Sequence, residues 1–198
     1  MKRLNILLYL FLLSLGNSLS VHAQETPEQC QTIDFPAGWS MFSTYIEAEE
    51  PWVGDFLSEL VSENNLIIVK RYTGGAFLVE WLFADGVGDI VQDEGYQIKL
   101  QEAQAIEVCG QAVLPETTPI YIPSGWYFIP YLRTEPANAV AVLAAIVSDV
   151  IIAKDYLGNV YLPEWDYNGI GDFEPGKGYQ IKMASAQTLL YLANDEEY

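Results

Sequence analysis

Apolar and polar residues alternate in several short segments, and this period of two predicts β-strands. The pentapeptide GYQIK occurs at residues 95–99 and again at 178–182. In each copy, alternation sends Tyr and Ile to one face of a strand and Gln and Lys to the other. Two further segments, 55–62 and 139–147, have apolar residues at three- and four-residue spacing, which predicts helices.

The runs LIIV and VIIA are apolar and β-branched, which is typical of strands buried on both faces. Each run leads into a glycine-containing turn, GG in the first case and GN in the second. Such dipeptides favour two-residue hairpin turns. Turns of that length would place Tyr72 opposite Phe77 and Tyr156 opposite Tyr161.

The chain aligns with itself over most of its length. The segment IDFPAGWSMFSTY from Ile33 matches IYIPSGWYFIPYL from Ile120, and GVGDIVQDEGYQIK matches GIGDFEPGKGYQIK. The matched blocks keep their order, so we interpret the chain as a tandem duplication with a boundary in 110–119. The expected fold is α+β and β-rich. It has two tandem homologous modules, 24–112 and 113–198, each a small antiparallel or mixed sheet with one helix.

The amino-terminal segment has the organisation of a secretory signal peptide. Lys2 and Arg3 precede the apolar run LNILLYLFLLSLG, and SVHA ends on a small residue. Residues 1–23 are therefore predicted to be a signal peptide that is removed by cleavage after Ala23. We expect an exported protein, periplasmic or extracellular, with no membrane span after cleavage.

Two cysteines, Cys30 and Cys109, flank the first module. An exported chain meets an oxidising compartment, where a disulfide is the expected state of such a pair. A Cys30–Cys109 bond would clamp the two ends of this module. The matching positions of the second module are Thr117 and Leu192, so no such clamp is predicted there.

Charge narrows the choice of partners. After removal of the signal segment, seven basic residues remain against 27 acidic ones, a formal charge of −20. Such acidity disfavours nucleic acid and anionic lipid as partners. Four of the seven basic residues occupy matched positions, where neutralisation of nearby carboxylates is their expected role: Lys70, Lys99, Lys154 and Lys182.

Candidate catalytic chemistry is sparse. The sole histidine, His22, lies in the signal segment, so Ser-His and Cys-His catalysis and ordinary His-ligated metal sites are excluded from the rest. Carboxylates remain: a hydrolase would use the matched Glu80 and Glu164, or Asp89 and Asp172. Because each candidate occurs once per module, duplication of a structural unit explains them more simply, and we expect no enzyme.

No cofactor is expected, although weak surface calcium binding is an alternative at DYNGIGD, residues 166–172. This stretch lacks the ligands that an EF-hand requires at Ile170 and Lys177. It is better interpreted as a turn in which Asn168 and Gly169 supply left-handed backbone and Ile170 enters the core.

Aromatic residues offer candidate contact sites. Four tryptophans recur in matched pairs, for which core packing is the favoured interpretation: Trp39 with Trp126, and Trp81 with Trp165. Trp52 lies in an acidic, Pro-containing stretch whose counterpart has no aromatic residue, so it is the preferred surface candidate. Tyr167 is the second candidate for contact with a ligand or partner.

The matched pattern also resembles a repeat module of exported Bacteroidota proteins. The residues that carry the resemblance are Gly125-Trp126, Lys154, Gly158, Tyr161, Pro163, Asn168, Ile170-Gly171 and 176–182. The first copy keeps Gly38-Trp39, Val69-Lys70, Gly88 and 95–99 but has Asp85-Gly86 where the Asn turn would be. The resemblance implies no catalytic residues and no established activity.

These observations predict an exported, acidic, non-enzymatic binding protein whose partner is another envelope or extracellular protein. Exposed sheet edges able to accept a partner strand favour this function. A glycan-binding module is the alternative, because exposed Trp and Tyr stack on sugars. A carboxylate-based hydrolase comes third, and it would lose activity on Glu80→Gln or Glu164→Gln substitution.

Overall fold

A computed structural model describes residues 28–81 and 86–198, with the side chain of Trp81 excepted. The predicted signal segment, 1–23, lies outside the described residues. The fold is β-rich, with several small antiparallel sheets and few helices. The elements of the first half are β1 Gln29–Phe35, β2 Gly38–Phe42, β3 Ile46–Ala48, α1 Val53–Phe56, α2 Ser58–Ser62, β4 Leu66–Lys70, β5 Ala76–Leu78, β6 Tyr96–Leu100 and β7 Gln104–Ala112.

The second half contains shorter peripheral strands and one α-helix. Its elements are β8 Ile120–Ile122, β9 Gly125–Ile129, β10 Ala137–Asn138, α3 Ala139–Val142, β11 Val150–Lys154, β12 Val160–Leu162, β13 Tyr167–Asn168, β14 Asp172–Phe173, β15 Tyr179–Met183 and β16 Gln187–Leu189. Across both halves, the described residues also form 3-10 helices: Val79–Trp81, Pro115–Thr117, Ala144–Asp149 and Pro163–Trp165.

In the described residues, each half has one main sheet and a smaller one, and the second half also has a two-stranded sheet of β10 and β14. The main sheets have the strand orders β2-β6-β4-β5 and β13-β12-β11-β15-β9, and the smaller ones β1-β7-β3 and β16-β8. The central strands β6 and β15 contain the two YQIK copies, and both alternate between buried and partly exposed residues as predicted. Their inward residues join two separate clusters of buried side chains, one in each half.

The predicted helices form in shorter pieces. The segment 55–62 is divided into α1 and α2 at Leu57, a fully buried residue with φ −107° and ψ 23°. The segment 139–147 begins as α3 and continues beyond Leu143 as a 3-10 helix. In both segments a fully buried leucine, Leu57 or Leu143, lies at the break.

The predicted hairpin register was wrong. Phe77 pairs with Val69 rather than with Tyr72, and Tyr161 pairs with Ala153 rather than with Tyr156. The tips are longer than two residues, because the N–H of Arg71 donates to the carbonyl of Gly75 and closes a three-residue loop. Within this loop Gly74 has φ +91°, a conformation that favours glycine.

The two GYQIK glycines lie where the halves meet. The N–H of Gly95 donates to the carbonyl of Phe128 at 2.8 Å. A Cβ atom on Gly95 would lie 2.9 Å from the carbonyl oxygen of Ile129, and one on Gly178 would lie 2.7 Å from that of Phe42. Both positions therefore require glycine for close backbone approach.

The disulfide prediction is confirmed. Cys30 in β1 lies directly opposite Cys109 in β7, and the two sulfurs are bonded at 2.00 Å. The bond therefore ties together the strands that begin and end the first half. In the part of the chain that the structure describes, no helix is long and apolar enough to cross a membrane.

Candidate binding faces of the two sheets

Trp39 lies on the outer surface of the first main sheet. Its strand, β2, is the edge strand next to β6, and alternation turns Trp39 away from the core, so that it is 47% exposed. Lys99 lies directly opposite in the register, and its Nζ is 5.7 Å from the centre of the indole ring. The Nζ of Lys70, on β4, is 6.0 Å from the same centre.

The second main sheet repeats this arrangement. Trp126 lies on the edge strand β9 and is 43% exposed. Lys182 is its cross-strand partner, with Nζ 5.8 Å from the ring centre, and the Nζ of Lys154 is 5.1 Å from it. These distances are typical of cation–π contacts.

On each main sheet, aliphatic residues on the neighbouring strands extend the row of cross-strand partners that begins with the Trp–Lys pair. In the first sheet, Lys99 pairs with Ile68, which pairs with Leu78. We call Trp39, Lys70, Lys99, Ile68 and Leu78 the first face.

In the second sheet, Lys182 pairs with Ile152, and antiparallel register then brings Leu162 beside it. The four aliphatic residues of the two rows are all partly buried, so each row is amphipathic. The second face consists of the matched residues Trp126, Lys154, Lys182, Ile152 and Leu162.

Core packing of the repeated tryptophans was the wrong expectation for the three whose side chains are described. Trp39 and Trp126 point outward, and Trp165 is 74% exposed at the end of a 3-10 helix. The four matched lysines were expected to neutralise nearby carboxylates, but they lie over indole rings instead. In residues 28–81 and 86–198 the ion pair that forms joins Arg71 to Glu94.

The two predicted contact residues have different environments. Trp52 is half-buried at the start of α1, and its ring packs edge-on against Phe77 at 5.7 Å, next to the first core. Tyr167 is 53% exposed and pairs with Leu162 across β13 and β12, at the margin of the second face. Contact of either residue with a ligand or partner stays a prediction.

The candidate catalytic carboxylates are all exposed: Glu80, Glu164, Asp89 and Asp172. Asp172 is within hydrogen-bond distance of the side-chain amide of Asn138, at 3.4 Å.

The DYNGIGD stretch is a side-chain-braced turn. Asn168 donates from Nδ2 to the carbonyl of Gly171 at 2.9 Å and accepts from its N–H at 3.0 Å. Ile170 packs against the second core as predicted, but the left-handed residues are Asp166 and Gly171, not Asn168 and Gly169. Calcium binding there stays a prediction. Among the described residues, the grouping of potential metal ligands consists of Glu107 and the two disulfide cysteines.

Buried polar groups stabilise the region between the faces. Glu94 is 2% exposed and accepts from Nε and Nη2 of Arg71, at 3.0 and 2.6 Å. This hydrogen-bonded pairing holds the pKa of the Arg71 guanidinium above its usual range. Burial likewise raises the pKa of the hydroxyls of several tyrosines, which keeps these hydroxyls protonated: Tyr96, Tyr127, Tyr131, Tyr179 and Tyr191.

The sequence contained a signal for the two faces. Trp39 follows Gly38 at the start of an edge strand, and Lys99 ends the first GYQIK; both features recur in the second half of the chain. Reading the matched Trp and Lys together, as cross-strand neighbours, would have placed them on one face. Neither residue type alone makes that distinction, because a repeated Trp is equally consistent with a core position.

Comparisons of the chain with protein-family models, curated proteins and solved structures gave no match. The geometry of the two faces is therefore what indicates a function. An indole ring flanked by two ammonium groups offers an apolar surface beside two strong hydrogen-bond donors. Such a surface is suited to binding.

Proposed function

We propose that the protein is an exported, non-enzymatic binding protein composed of two tandem homologous modules, 24–112 and 113–198. Its partner is another envelope or extracellular protein, and the first and second faces are the recognition surfaces. The observation that carries this proposal is the recurrence, at matched positions, of an exposed Trp with two lysines over its ring.

The composition of the faces favours a protein partner. Tryptophan is among the residues enriched at binding hot spots, where it occupies the centre of a patch that excludes water. In the first face, the aliphatic row Ile68–Leu78 continues from the lysine that adjoins Trp39. A mixed aromatic, aliphatic and cationic surface of this kind matches the side chains of a protein better than the hydroxyls of a sugar.

Affinity capture with matched variants tests the proposal. Residues 24–198 are immobilised and exposed to envelope and extracellular fractions of the source cells, and captured proteins are quantified by mass spectrometry. We expect Trp39→Ala combined with Trp126→Ala to lose a specific captured protein. Trp165→Ala is the control, because Trp165 is more exposed but belongs to neither face. Equal capture by all baits would contradict the proposal.

A glycan ligand is the second candidate, supported by the exposure of the Trp39 and Trp126 rings, since aromatic rings also stack on sugars. It predicts retention of the wild-type chain on a polysaccharide and loss of retention in the same double variant. Trp52→Ala and Tyr167→Ala extend this test to the two contact residues predicted from the sequence. A glycan array without hits would remove this candidate.

A further inference from the structure

Within the described residues, the four lysines of the faces form no ion pair with a carboxylate. The chain has three acidic residues for every basic one, 27 against 9, so carboxylates are abundant. Yet in the described part of the chain the ion pair found belongs to Arg71 and Glu94, not to these lysines. Four of the seven basic residues outside the signal segment therefore keep their ammonium groups available on two surfaces.

In each face, two ammonium groups lie over the same indole ring. In the first face, the Nζ atoms of Lys70 and Lys99 both lie within about 6 Å of the Trp39 ring centre. Ile68, which is partly buried, is the cross-strand neighbour of Lys99 and adds an apolar side chain beside it. A carboxylate placed between the two ammonium groups would receive charge-assisted hydrogen bonds in a partly dehydrated setting.

Overall charge limits the kind of anion. A chain with a formal charge of −18, or −20 without its signal segment, repels polyanions at long range. An isolated carboxylate on an otherwise uncharged, apolar segment avoids most of this repulsion. The aliphatic rows beside the lysines also complement apolar side chains, so charge and shape both favour a peptide segment over an acidic polysaccharide.

We propose that each face binds a segment of the partner protein in which an acidic residue lies beside an aromatic or aliphatic one. The acidic side chain lies between the two lysines, and its apolar neighbour packs on the tryptophan ring. This inference rests on the proposed function, because it takes the partner to be a protein bound at the first and second faces.

Selection of random peptides displayed on phage tests this assignment. The wild-type bait, residues 24–198, is expected to enrich peptides that combine Asp or Glu with a neighbouring Trp, Phe, Leu or Ile. A variant with Lys99→Met and Lys182→Met keeps the apolar stems but removes one ammonium group from each face. It should lose the acidic preference, retain the apolar one, and bind a wild-type consensus peptide about tenfold more weakly.

Two controls separate the outcomes. Lys177→Met removes a lysine that lies over Tyr156, outside both faces, and should select the wild-type consensus. The Trp39→Ala and Trp126→Ala double variant should enrich neither feature. An unchanged acidic consensus in the Lys99→Met and Lys182→Met variant would overturn the inference.

The remaining outcomes distinguish this inference from the proposed function. If the wild-type bait enriches apolar peptides without acidic residues, the inference fails and protein binding at the faces stands. If it enriches no peptide and instead binds acidic glycans on an array, both the inference and the protein partner are contradicted. Thermal melting of every bait beforehand confirms that the variants are folded.

Discussion

In the first half of the chain a disulfide joins Cys30 and Cys109 across β1 and β7, whereas the matched positions of the second half are Thr117 and Leu192. Side chains hold the end of the second half instead. Arg133, itself buried, donates from Nη2 to the carbonyl of Ala193 at 3.0 Å, and the hydroxyl of Tyr191 donates to the carbonyl of Pro130. Matched sheets can thus be closed covalently or by hydrogen bonds.

The halves also differ in the charges beside the central strands. Arg71 and Glu94 form a hydrogen-bonded ion pair, but the matched residues, Asp155 and Lys177, have the opposite signs. Asp155 accepts from the N–H of Asn159, and Lys177 lies over a tyrosine ring. The Trp–Lys arrangement, by contrast, is the same in both halves. The two halves therefore share the exposed Trp–Lys face but differ in the interactions that stabilise each half.

Alkaline pH should produce the largest effect and should act first on the second half. Burial raises the pKa of Tyr127, Tyr131, Tyr179 and Tyr191 there, against Tyr45 and Tyr96 in the first half. A raised pKa means that the folded state holds the proton more tightly, so stability is full below about pH 10 and falls as pH rises further. Tyrosinate absorbance and residue-resolved hydrogen exchange should show second-half amides opening first. Opening of first-half and second-half amides at the same pH would contradict this difference between the halves.

Removal of the disulfide should cost the first half up to about 4 kcal/mol of unfolding free energy, because the bond closes a long loop in the unfolded chain. The double variant Cys30→Ser and Cys109→Ser is compared with the wild type by urea denaturation, with and without reductant. If reduction leaves the urea midpoint of the wild type unchanged, the disulfide does not stabilise the first half and the prediction is wrong. Reductant should have no effect on the double variant, which serves as its own control.

Glu94→Gln should destabilise the chain by about 2 kcal/mol, because it removes the counter-ion and charge-assisted hydrogen bonds of the Arg71 guanidinium, whose side chain is 32% exposed. The matched control, Lys177→Met, removes a partly exposed charge and should change stability by less than about 1 kcal/mol. Chemical denaturation of both variants measures the difference. Equal costs would show that the two positions are stabilised alike.

Gly178→Ala should cost about 2 kcal/mol, because the new Cβ atom would lie 2.7 Å from the carbonyl oxygen of Phe42 and backbone must shift. Gly95→Ala, at 2.9 Å from Ile129, should cost nearly as much. Both variants should also loosen the contact between the halves, measured by protease sensitivity of residues 110–119. Wild-type stability in both would contradict the close approach.

Trp39→Ala and Trp126→Ala should have the smallest effect on stability, under about 1 kcal/mol each, because both rings are nearly half exposed. Their effect should instead be on partner capture. Melting temperatures of the single variants provide the measurement. A large loss of stability in either would indicate a structural role for the tryptophan and would weaken its assignment to recognition.

Local patterns predicted the strands, the burial of Tyr96 and Ile98, and the disulfide. They failed where long-range packing decides the outcome. Turn residues alone did not reveal that Arg71 and Gly75 close a longer loop, so the Phe77 register was wrong. The outward direction of Trp39 was missed because a repeated Trp is equally consistent with a core position, and only its pairing with Lys99 on the neighbouring strand distinguishes the two.

The central claim is that the two Trp–Lys faces contact the partner. Hydroxyl-radical footprinting of the wild-type chain, with and without a captured partner, tests it without any substitution. The account predicts protection of Trp39 and Trp126 on binding and unchanged oxidation of Trp165. Protection of Trp165 with continued oxidation of Trp39 and Trp126 would contradict the claim.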